Sequence, residues 1–318
     1  MKIIIPDAVS KYLIPKLQER FPDVIPVTYG EDWVPNGDVR DAIVYLRWWS
    51  DSVEDRKTLD LAPLVRWVYT PSAGVEHIDL ALMKQRNITL TNAAGVHSIP
   101  IAEFVMLYLL AHAKKAWQLH NFPRDQWSSV EQTKLDELDG KTMAILGLGG
   151  IGQETAKRAK AFGMRVIGSR RTVQDTPYVD LVVSDDAWQT LLPEADVIVI
   201  ATPATTRTIG MFDAAALALL KPKAYLINVG RGSAIDTPAL IDALQSGRLA
   251  GAGLDVGPEE PLPVDHPLWD APNVWITPHV TSSSPNGRRR MMDLFLDNLE
   301  RFRAGLPLQN VVNLDEGY

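Results

Sequence analysis

The sequence predicts an α/β protein built on two parallel sheets. Short runs of apolar and β-branched residues alternate with longer stretches of helical composition along the chain. Strands that alternate with helices in this way form βαβ units, in which the strands run parallel. One run, Asp196–Ala201, is almost continuously apolar, as expected for a strand that helices cover on both faces.

The predicted strands fall into two groups, which indicates two separate sheets. The first group is Lys2–Ile5, Ala42–Leu46, Arg66–Thr70 and Ile88–Thr91. The second group is Thr142–Leu146, Arg165–Gly168, Leu181–Val183, Val197–Ala201, Tyr225–Val229, Gly251–Leu254 and Val274–Thr277. We therefore expect one α/β unit before residue 100 and another around the second group.

A glycine-rich turn follows the first strand of the second group. Residues 143–152 read MAILGLGGIG, so an apolar strand leads into G-x-G-x-x-G, and residues 153–162 have helical composition. Gly147 permits a tight turn, Gly149 lets the backbone approach a pyrophosphate, and Gly152 lets the helix pack close to the sheet. The order of strand, turn and helix predicts a dinucleotide-binding, Rossmann-like domain. A glycine-rich turn without a ligand is the alternative.

Two helices set the expected domain division. Ile101–Ala113 is apolar on almost every side, which is typical of a helix buried in a core or an interface. The amphipathic helix Pro285–Arg303 is expected to return to the first unit. We therefore predict an NAD(P)-binding domain of residues 99–281. Residues 1–98 and 282–318 would form a discontinuous, flavodoxin-like substrate domain, with the active site in the cleft between the domains.

Composition excludes several classes of protein. The chain has 318 residues, 46% of them hydrophobic, a net charge of −7 and no cysteine. Disulfides, thiol nucleophiles and cysteine–metal sites are therefore excluded, and the negative charge argues against nucleic acid or an anionic membrane as partner. The longest apolar run, Phe104–Ala111, is shorter than the roughly 18 residues of a membrane span. We expect a soluble, cytoplasmic protein, and we find no residue spacing that predicts a metal site.

The strand after the glycine turn predicts which nicotinamide cofactor binds. In an NAD enzyme this strand usually ends in Asp or Glu, which binds the ribose 2′-hydroxyl. Here it runs into Ser169, Arg170 and Arg171, without an acid. Arginine pairs with a 2′-phosphate through parallel hydrogen bonds, so we predict a preference for NADP(H), with NAD(H) as the alternative cofactor. Alternatively, both arginines are solvated surface charges.

Polar residues follow three later strands, at the edge of the sheet where ligands bind in α/β proteins. Arg231 lies in the segment 226–236, Asp255 and Glu260 lie in 253–263, and His279 lies in 275–281. Because the carboxyl ends of parallel strands share one edge, we expect Arg231, Glu260 and His279 to converge there.

At these segments the chain resembles the D-isomer-specific 2-hydroxyacid dehydrogenases, and most of all their glyoxylate/hydroxypyruvate reductase branch. The matching segments span nearly the whole chain: Ala73–Asp79, Asn92–Gly95, Ala102–Glu103, the glycine turn, Ala201–Pro203, Asn228–Asp236, Asp255–Leu262 and Thr277–His279. The resemblance implies hydride transfer between NAD(P) and a small 2-oxo or 2-hydroxy acid.

The resemblance also implies the roles of the site residues. His279 would be the acid/base, and Glu260 would hold its ring and favour the protonated form. Arg231 would bind the substrate's carboxylate and keto oxygen. Backbone N–H groups at Ala73 and Gly74 would give the other carboxylate contact. Cofactor contacts would come from Gly147, Gly149, Gly150, Ile151, Gly152, Ser169, Arg170, Arg171, Thr202, Pro203, Val229, Gly230 and Asp255, of which Asp255 holds the carboxamide.

Some residues leave alternatives open. Glu259 is the alternative to Glu260, although the phrase Glu-Pro-Leu-Pro favours Glu260. Trp48, between Arg47 and Trp49, would wall the substrate pocket, where Arg47 would read a second anion; packing at the domain surface is the alternative. Two other functions also stay open: a phosphonate or other unusual-donor dehydrogenase with the same triad, and a nucleotide-sensing scaffold like the family's corepressors.

The resemblance implies a homodimer that forms through the cofactor domain. The apolar helix Ile101–Ala113 and the arm Trp117–Lys134, which carries several aromatic residues, are suited to that interface.

Overall fold

The computed structural model describes residues 1–49, 52–123 and 135–317. The strands are β1 Lys2–Pro6, β2 Ile25–Tyr29, β3 Ala42–Leu46, β4 Trp67–Tyr69, β5 Thr89–Thr91, β6 Thr142–Leu146, β7 Arg165–Arg170, β8 Leu181–Ser184, β9 Val197–Ile200, β10 Ala224–Asn228, β11 Leu249–Leu254 and β12 Val274–Ile276. The α-helices are α1 Asp7–Arg20, α2 Ser52–Leu61, α3 Leu80–Gln85, α4 Ser98–Ala113, α5 Ala116–His120, α6 Gly150–Ala161, α7 Ala214–Leu219, α8 Thr237–Gln245 and α9 Gly287–Arg303.

The chain forms two compact α/β units, and the predicted fold class is confirmed. The first unit comprises Met1–Val96 and Pro285–Tyr318, and the second comprises His97–Ser284. All the strand pairs of both sheets are parallel in the described part of the chain. Each predicted strand is present, and β2 is an additional strand that the sequence did not predict.

The first unit has a five-stranded sheet in the order β2-β1-β3-β4-β5. Helix α9 belongs to this unit because its apolar face packs on the sheet. The rings of Trp67 and Phe295 stack at 5.3 Å, and the Tyr69 hydroxyl donates to the backbone oxygen of Met291 at 2.9 Å. Strand β2 lies at the edge, where Ile25 is 58% exposed, which explains why its sequence lacks an apolar run.

The second unit has a seven-stranded sheet in the order β12-β11-β10-β9-β6-β7-β8. From β6 the chain builds the sheet on one side through β7 and β8, and from β9 it builds the other side. Ligands of open α/β sheets bind beyond the carboxyl ends of the strands at such a reversal. The register pairs Leu146 with Ile200, so the glycine turn after β6 and the loop after β9 begin side by side.

Close packing of α4 on the second sheet depends on small residues in β11. A Cβ atom added to Gly253 would lie 2.6 Å from the ring of Tyr108, so only glycine at this position leaves room for the tyrosine ring.

Among the described residues, no helix is long and apolar enough to cross a membrane, and no group of three or more His, Asp or Glu residues is placed to hold a metal ion.

Candidate active site

The glycine turn has the geometry that a bound dinucleotide requires. Gly147 has φ +96°, and a Cβ atom there would lie 2.7 Å from the oxygen of Ala201. A Cβ on Gly152 would lie 2.2 Å from the oxygen of Gly147, so α6 packs against the turn only with glycine there. Gly149 differs, because a Cβ atom there would meet nothing within 4 Å. That open space at the start of α6, beside its first N–H groups, is suited to a pyrophosphate.

The loops after β9 and β10 complete this edge of the second sheet. Thr202 is 9% exposed, and its hydroxyl makes no hydrogen bond within the described ranges, so it is a buried group ready for a ligand. Gly230 packs on this loop, because a Cβ there would lie 2.6 Å from the oxygen of Thr202. Buried Asn228 accepts from Gly230 N–H at 3.0 Å and donates to the oxygen of Arg231 at 2.9 Å. Sequence reasoning missed Asn228, although a buried amide at a strand end is a recognisable signal.

Ser169, Arg170 and Arg171 lie at the end of β7, as the sequence places them. Ser169 is buried, and its backbone oxygen accepts from Gly147 N–H at 3.2 Å and from Leu148 N–H at 3.0 Å. The glycine turn and the end of β7 are therefore directly connected. Arg170 is half-buried and Arg171 is exposed, so both guanidinium groups lie near the surface at this end of the strand.

His279 and Glu260 form the central pair of the candidate site. The Nδ1 atom of His279 lies 2.7 Å from Oε2 of Glu260, and the side chains are 49% and 42% exposed. Because a carboxylate only accepts, Nδ1 carries the hydrogen of this bond and Nε2 faces away from Glu260. Between the two candidate carboxylates, it is Glu260 rather than Glu259 that contacts the imidazole.

Asp255 holds the loop that carries His279. Its buried carboxylate accepts from the Thr277 hydroxyl at 2.6 Å, from Val280 N–H at 2.9 Å, and from the N–H and hydroxyl of Thr281 at 3.2 and 2.5 Å. These four donors match the roughly four lone-pair sites that a carboxylate offers. The side chain therefore positions this loop, while its predicted contact with the carboxamide of the cofactor stays a prediction.

The backbone of His279 is unusual. Its φ of +52° lies in the left-handed region, which a residue with a Cβ adopts only at a cost of about 1–2 kcal/mol. Its N–H donates to the backbone oxygens of Asp255 and Thr277, both at 3.0 Å. The hydrogen bonds to Asp255, from backbone and side chain together, hold the loop in this conformation.

Arg231 lies opposite the loop that carries Glu260. It directly precedes the short 3₁₀ helix Gly232–Ala234, and its Nη1 donates to the oxygen of Gly230 at 2.9 Å. A Cβ on Gly232 would lie 1.6 Å from the oxygen of Gly257, so the two loops touch at glycine. Gly257 N–H also donates weakly to Oε1 of Glu260 at 3.4 Å. The second unit thus brings Arg231, Glu260 and His279 to one edge of its sheet.

In the first unit, the loop of Ala73 and Gly74 presents backbone donors. The Ala73 oxygen accepts from the Asn92 amide at 2.7 Å, and the Gly74 oxygen accepts from the Ser72 hydroxyl at 2.7 Å. Within the described part of the chain, the N–H groups of Ala73 and Gly74 have no acceptor. A backbone whose carbonyls are engaged and whose N–H groups are open is suited to an anion.

The prediction that Arg47 binds a second anion is wrong. The side chain is fully buried, with Nε 3.0 Å from Oδ2 of Asp55, which is also fully buried. Nη1 donates to the Thr70 hydroxyl at 3.1 Å and lies 2.7 Å from Nε2 of His77. Asp55 comes from α2, so the ion pair joins this helix to the end of β3 and the charge is internal to the unit.

Trp48 is partly buried and packs against the core on both sides of the first sheet, while Trp49 is 59% exposed. Contact of Trp48 with substrate stays a prediction.

Of the arm Trp117–Lys134 that is predicted to form the dimer interface, Trp117 is 78% exposed on α5, and residues 124–134 lie outside the described residues.

The fold and the site define an NAD(P)-dependent oxidoreductase, and comparison with known proteins gives the family. The family model for the NAD-binding domain of D-isomer specific 2-hydroxyacid dehydrogenases matches residues 106–281. The chain therefore belongs to the D-isomer specific 2-hydroxyacid dehydrogenases, enzymes that act on the CH–OH group of 2-hydroxy acids.

Curated relatives and solved structures agree with this assignment. The chain is 35% identical over 289 residues to a glyoxylate reductase of Thermofilum pendens, which covers 87% of this chain and 84% of the relative. It is 37% identical over 282 residues to a glyoxylate reductase of Thermococcus litoralis, which covers 86% and 84%.

Two solved structures are similar over almost the whole chain. A D-isomer specific 2-hydroxyacid dehydrogenase from Xanthobacter autotrophicus, in complex with NADPH and MES, has a TM-score of 0.83 at 28% identity and covers 100% of this chain and 99% of that one. An NADPH-dependent glyoxylate/hydroxypyruvate reductase from Sinorhizobium meliloti, in complex with NADP and sulfate, has a TM-score of 0.81 at 28% identity with the same coverage.

Proposed function

We propose that this dehydrogenase is an NADP(H)-preferring reductase of glyoxylate, hydroxypyruvate or a similarly small 2-oxo acid. The observation that carries the proposal is the pair of His279 and Glu260, joined at 2.7 Å beyond the carboxyl ends of the strands. It lies in the same unit as the glycine turn. The names of the relatives, several of them glyoxylate reductases, support the choice of substrate.

In the reductive direction, a bound nicotinamide would supply the hydride that C2 of the 2-oxo acid receives. Protonated His279 gives the proton on Nε2 to the carbonyl oxygen as negative charge develops there. Glu260 accepts from Nδ1, so it fixes the ring and stabilises the charged imidazole before the transfer. Arg231 binds the substrate's carboxylate with its planar guanidinium, which orients C2.

The first unit contributes to anion binding in this proposal. The open N–H groups of Ala73 and Gly74 are suited to bind a carboxylate. Their carbonyls are held by Asn92 and Ser72, so the donors do not have to reorganise when the anion arrives.

The preference for NADP(H) is supported by the end of β7. Two arginines follow Ser169 there, and the strand ends without a carboxylate to repel a 2′-phosphate. The similar structures from Xanthobacter and Sinorhizobium contain NADPH and NADP. Steady-state kcat/KM values for glyoxylate reduction with NADPH and NADH test this preference, and comparable values with both cofactors would contradict it.

A substrate panel tests the reaction itself. We expect NADPH-dependent reduction of glyoxylate and hydroxypyruvate to exceed that of pyruvate and of bulkier 2-oxo acids. His279→Gln should lower kcat by about 10²- to 10⁴-fold, because the general acid is lost. His266→Asn is the matched control, since His266 only caps a short helix by accepting from Leu268 N–H and asparagine is a good cap.

The panel also separates the competing functions. Oxidation of a phosphonate donor without reduction of any 2-oxo acid would favour the unusual-donor dehydrogenase. Binding of NADP(H) without any turnover, in the wild-type protein as in His279→Gln, would favour the nucleotide-sensing scaffold.

A further inference from the structure

The segment after β7, residues 171–180, is anchored where it returns to the sheet. The N–H of Asp180 donates to the oxygen of Val166 at 2.7 Å, and Oδ2 of Asp180 accepts from Val166 N–H at 2.8 Å. Lys160 donates to the same carboxylate at 2.9 Å. The hydrogen bond from Val166 and the ammonium of Lys160 together lower the pKa of Asp180 below its ordinary value. The C-terminal end of this segment is therefore held in place independently of Arg170.

Two residues of this segment hold the guanidinium of Arg170. Its Nη1 donates to the hydroxyl oxygen of Thr176 at 3.1 Å, and that hydroxyl donates its own hydrogen to the backbone oxygen of Gln174 at 3.1 Å. The hydrogen-bond pattern assigns the Gln174 amide with its oxygen toward Arg170, where it accepts from Nη1 at 3.0 Å and from Nη2 at 3.3 Å. We call Gln174 and Thr176 the guanidinium clamp.

The clamp leaves one edge of the guanidinium open. Arginine has five N–H donors, and the clamp engages both hydrogens of Nη1 and one of Nη2. The Nε–H and the second Nη2–H point in parallel from the remaining edge, and no described residue accepts from Nε of Arg170. Two parallel N–H donors match the spacing of two phosphate oxygens.

We propose that Gln174 and Thr176 are positioning residues for cofactor selectivity, because they hold the Nε/Nη2 edge of Arg170 ready for the 2′-phosphate of NADP(H). The inference rests on the proposed preference for NADP(H). Thr176 is 6% exposed, so its hydroxyl is a fixed acceptor rather than a solvated one. An arginine fixed before binding loses less side-chain entropy when the phosphate arrives, which strengthens the discrimination between the two cofactors.

Calorimetry with two adenosine nucleotides tests the clamp without any turnover. The probes are adenosine 2′,5′-bisphosphate, which carries the 2′-phosphate, and adenosine 5′-monophosphate, which lacks it. Thr176→Val and Gln174→Met should each weaken binding of the bisphosphate by about three- to tenfold and leave binding of the monophosphate unchanged. Gln174→Glu should weaken it further, because a carboxylate would then pair with Arg170 and repel the phosphate.

Thr172→Val is the matched control, because Thr172 is an exposed threonine of the same segment. We expect it to bind both nucleotides as the wild type does. Steady-state kinetics should give the same division, with kcat/KM falling for NADPH and not for NADH in the clamp variants.

The outcomes separate this inference from the proposal on which it rests. A wild-type protein that binds both nucleotides equally would overturn the preference for NADP(H), and the clamp with it. If all three clamp substitutions left the wild-type preference for the bisphosphate unchanged, the role of the clamp would be refuted and the preference for NADP(H) would stand. An equal loss of affinity for both nucleotides would show that Gln174 and Thr176 only stabilise the segment, which also overturns the inference.

Discussion

Replacement of Asp255 by asparagine tests whether this buried carboxylate sets the position of His279. The change keeps the size of the side chain and replaces one oxygen by an NH₂ group. One oxygen of Asp255 accepts from Val280 N–H and the other from Thr281 N–H. Either orientation of an asparagine amide therefore places its nitrogen against a backbone N–H that cannot rotate away.

The magnitude follows from these contacts. A lost hydrogen bond to a buried charged acceptor costs about 1.5–3 kcal/mol, and the hydroxyls of Thr277 and Thr281 can turn to accept from the new amide. We therefore expect a loss of about 2–4 kcal/mol in the free energy of unfolding of this unit. The left-handed backbone of His279 would then relax, and a displacement of about 1 Å at the reacting group lowers kcat by about 10²-fold.

Thermal unfolding and steady-state kinetics measure both effects. Asp236→Asn is the matched control, because Asp236 caps α8 by accepting from Ala239 N–H at 3.0 Å and asparagine caps equally well. If Asp255→Asn unfolded at the wild-type temperature with kcat within about threefold of the wild type, the assigned positioning role of Asp255 would be refuted.

The remaining predictions concern the glycine turn, the buried ion pair and a half-buried histidine. Gly149→Ala should leave the unfolding temperature unchanged and raise the KM for the cofactor about tenfold or more, whereas Gly232→Ala should lower the unfolding temperature strongly, since its Cβ would lie 1.6 Å from a backbone oxygen. Arg47→Met should cost about 3–5 kcal/mol in urea unfolding, because Asp55 loses a buried cation, and the double change with Asp55→Leu should recover much of this loss. Burial lowers the pKa of His112 below its ordinary value of 6.5. The unfolded chain therefore binds more protons than the folded one, and the free energy of unfolding falls as the pH drops below 6.5. His112→Phe should make this fall smaller, which unfolding temperatures measured against pH would show.

The sequence predicts most of the fold because parallel strands buried on both faces are apolar runs. Strand β9 is the clearest case, since all its residues are buried. Strand β2 lacks such a signal, because it lies at a sheet edge and contains Pro26 and Thr28 among half-exposed positions. Edge strands are specified by their neighbour, here β1, and that pairing cannot be read from local composition.

The candidate site is predictable to the extent that it depends on strand ends. Glu260 and His279 follow neighbouring strands, and this order alone brings them to one edge. The environment of Arg47 depends instead on helix α2, whose Asp55 contacts Arg47 at the end of β3. The local sequence therefore predicted an exposed guanidinium group, whereas the fold buries it in an ion pair. The loop-holding role of Asp255 was hidden for a similar reason, because half of its donors are backbone N–H groups, which every sequence contains.

The site thus divides stability and reactivity between different residues. The pair of His279 and Glu260 is about half exposed, and a pair of this kind contributes only about 0–1 kcal/mol after solvent screening. Its geometry cannot be maintained by its own attraction, least of all against the left-handed backbone of His279. The buried hydrogen bonds of Asp255 have to supply that energy, because they are sheltered from water and fixed at the end of β11. The imidazole therefore stays half exposed, while the buried hydrogen bonds of Asp255 hold the loop that carries it.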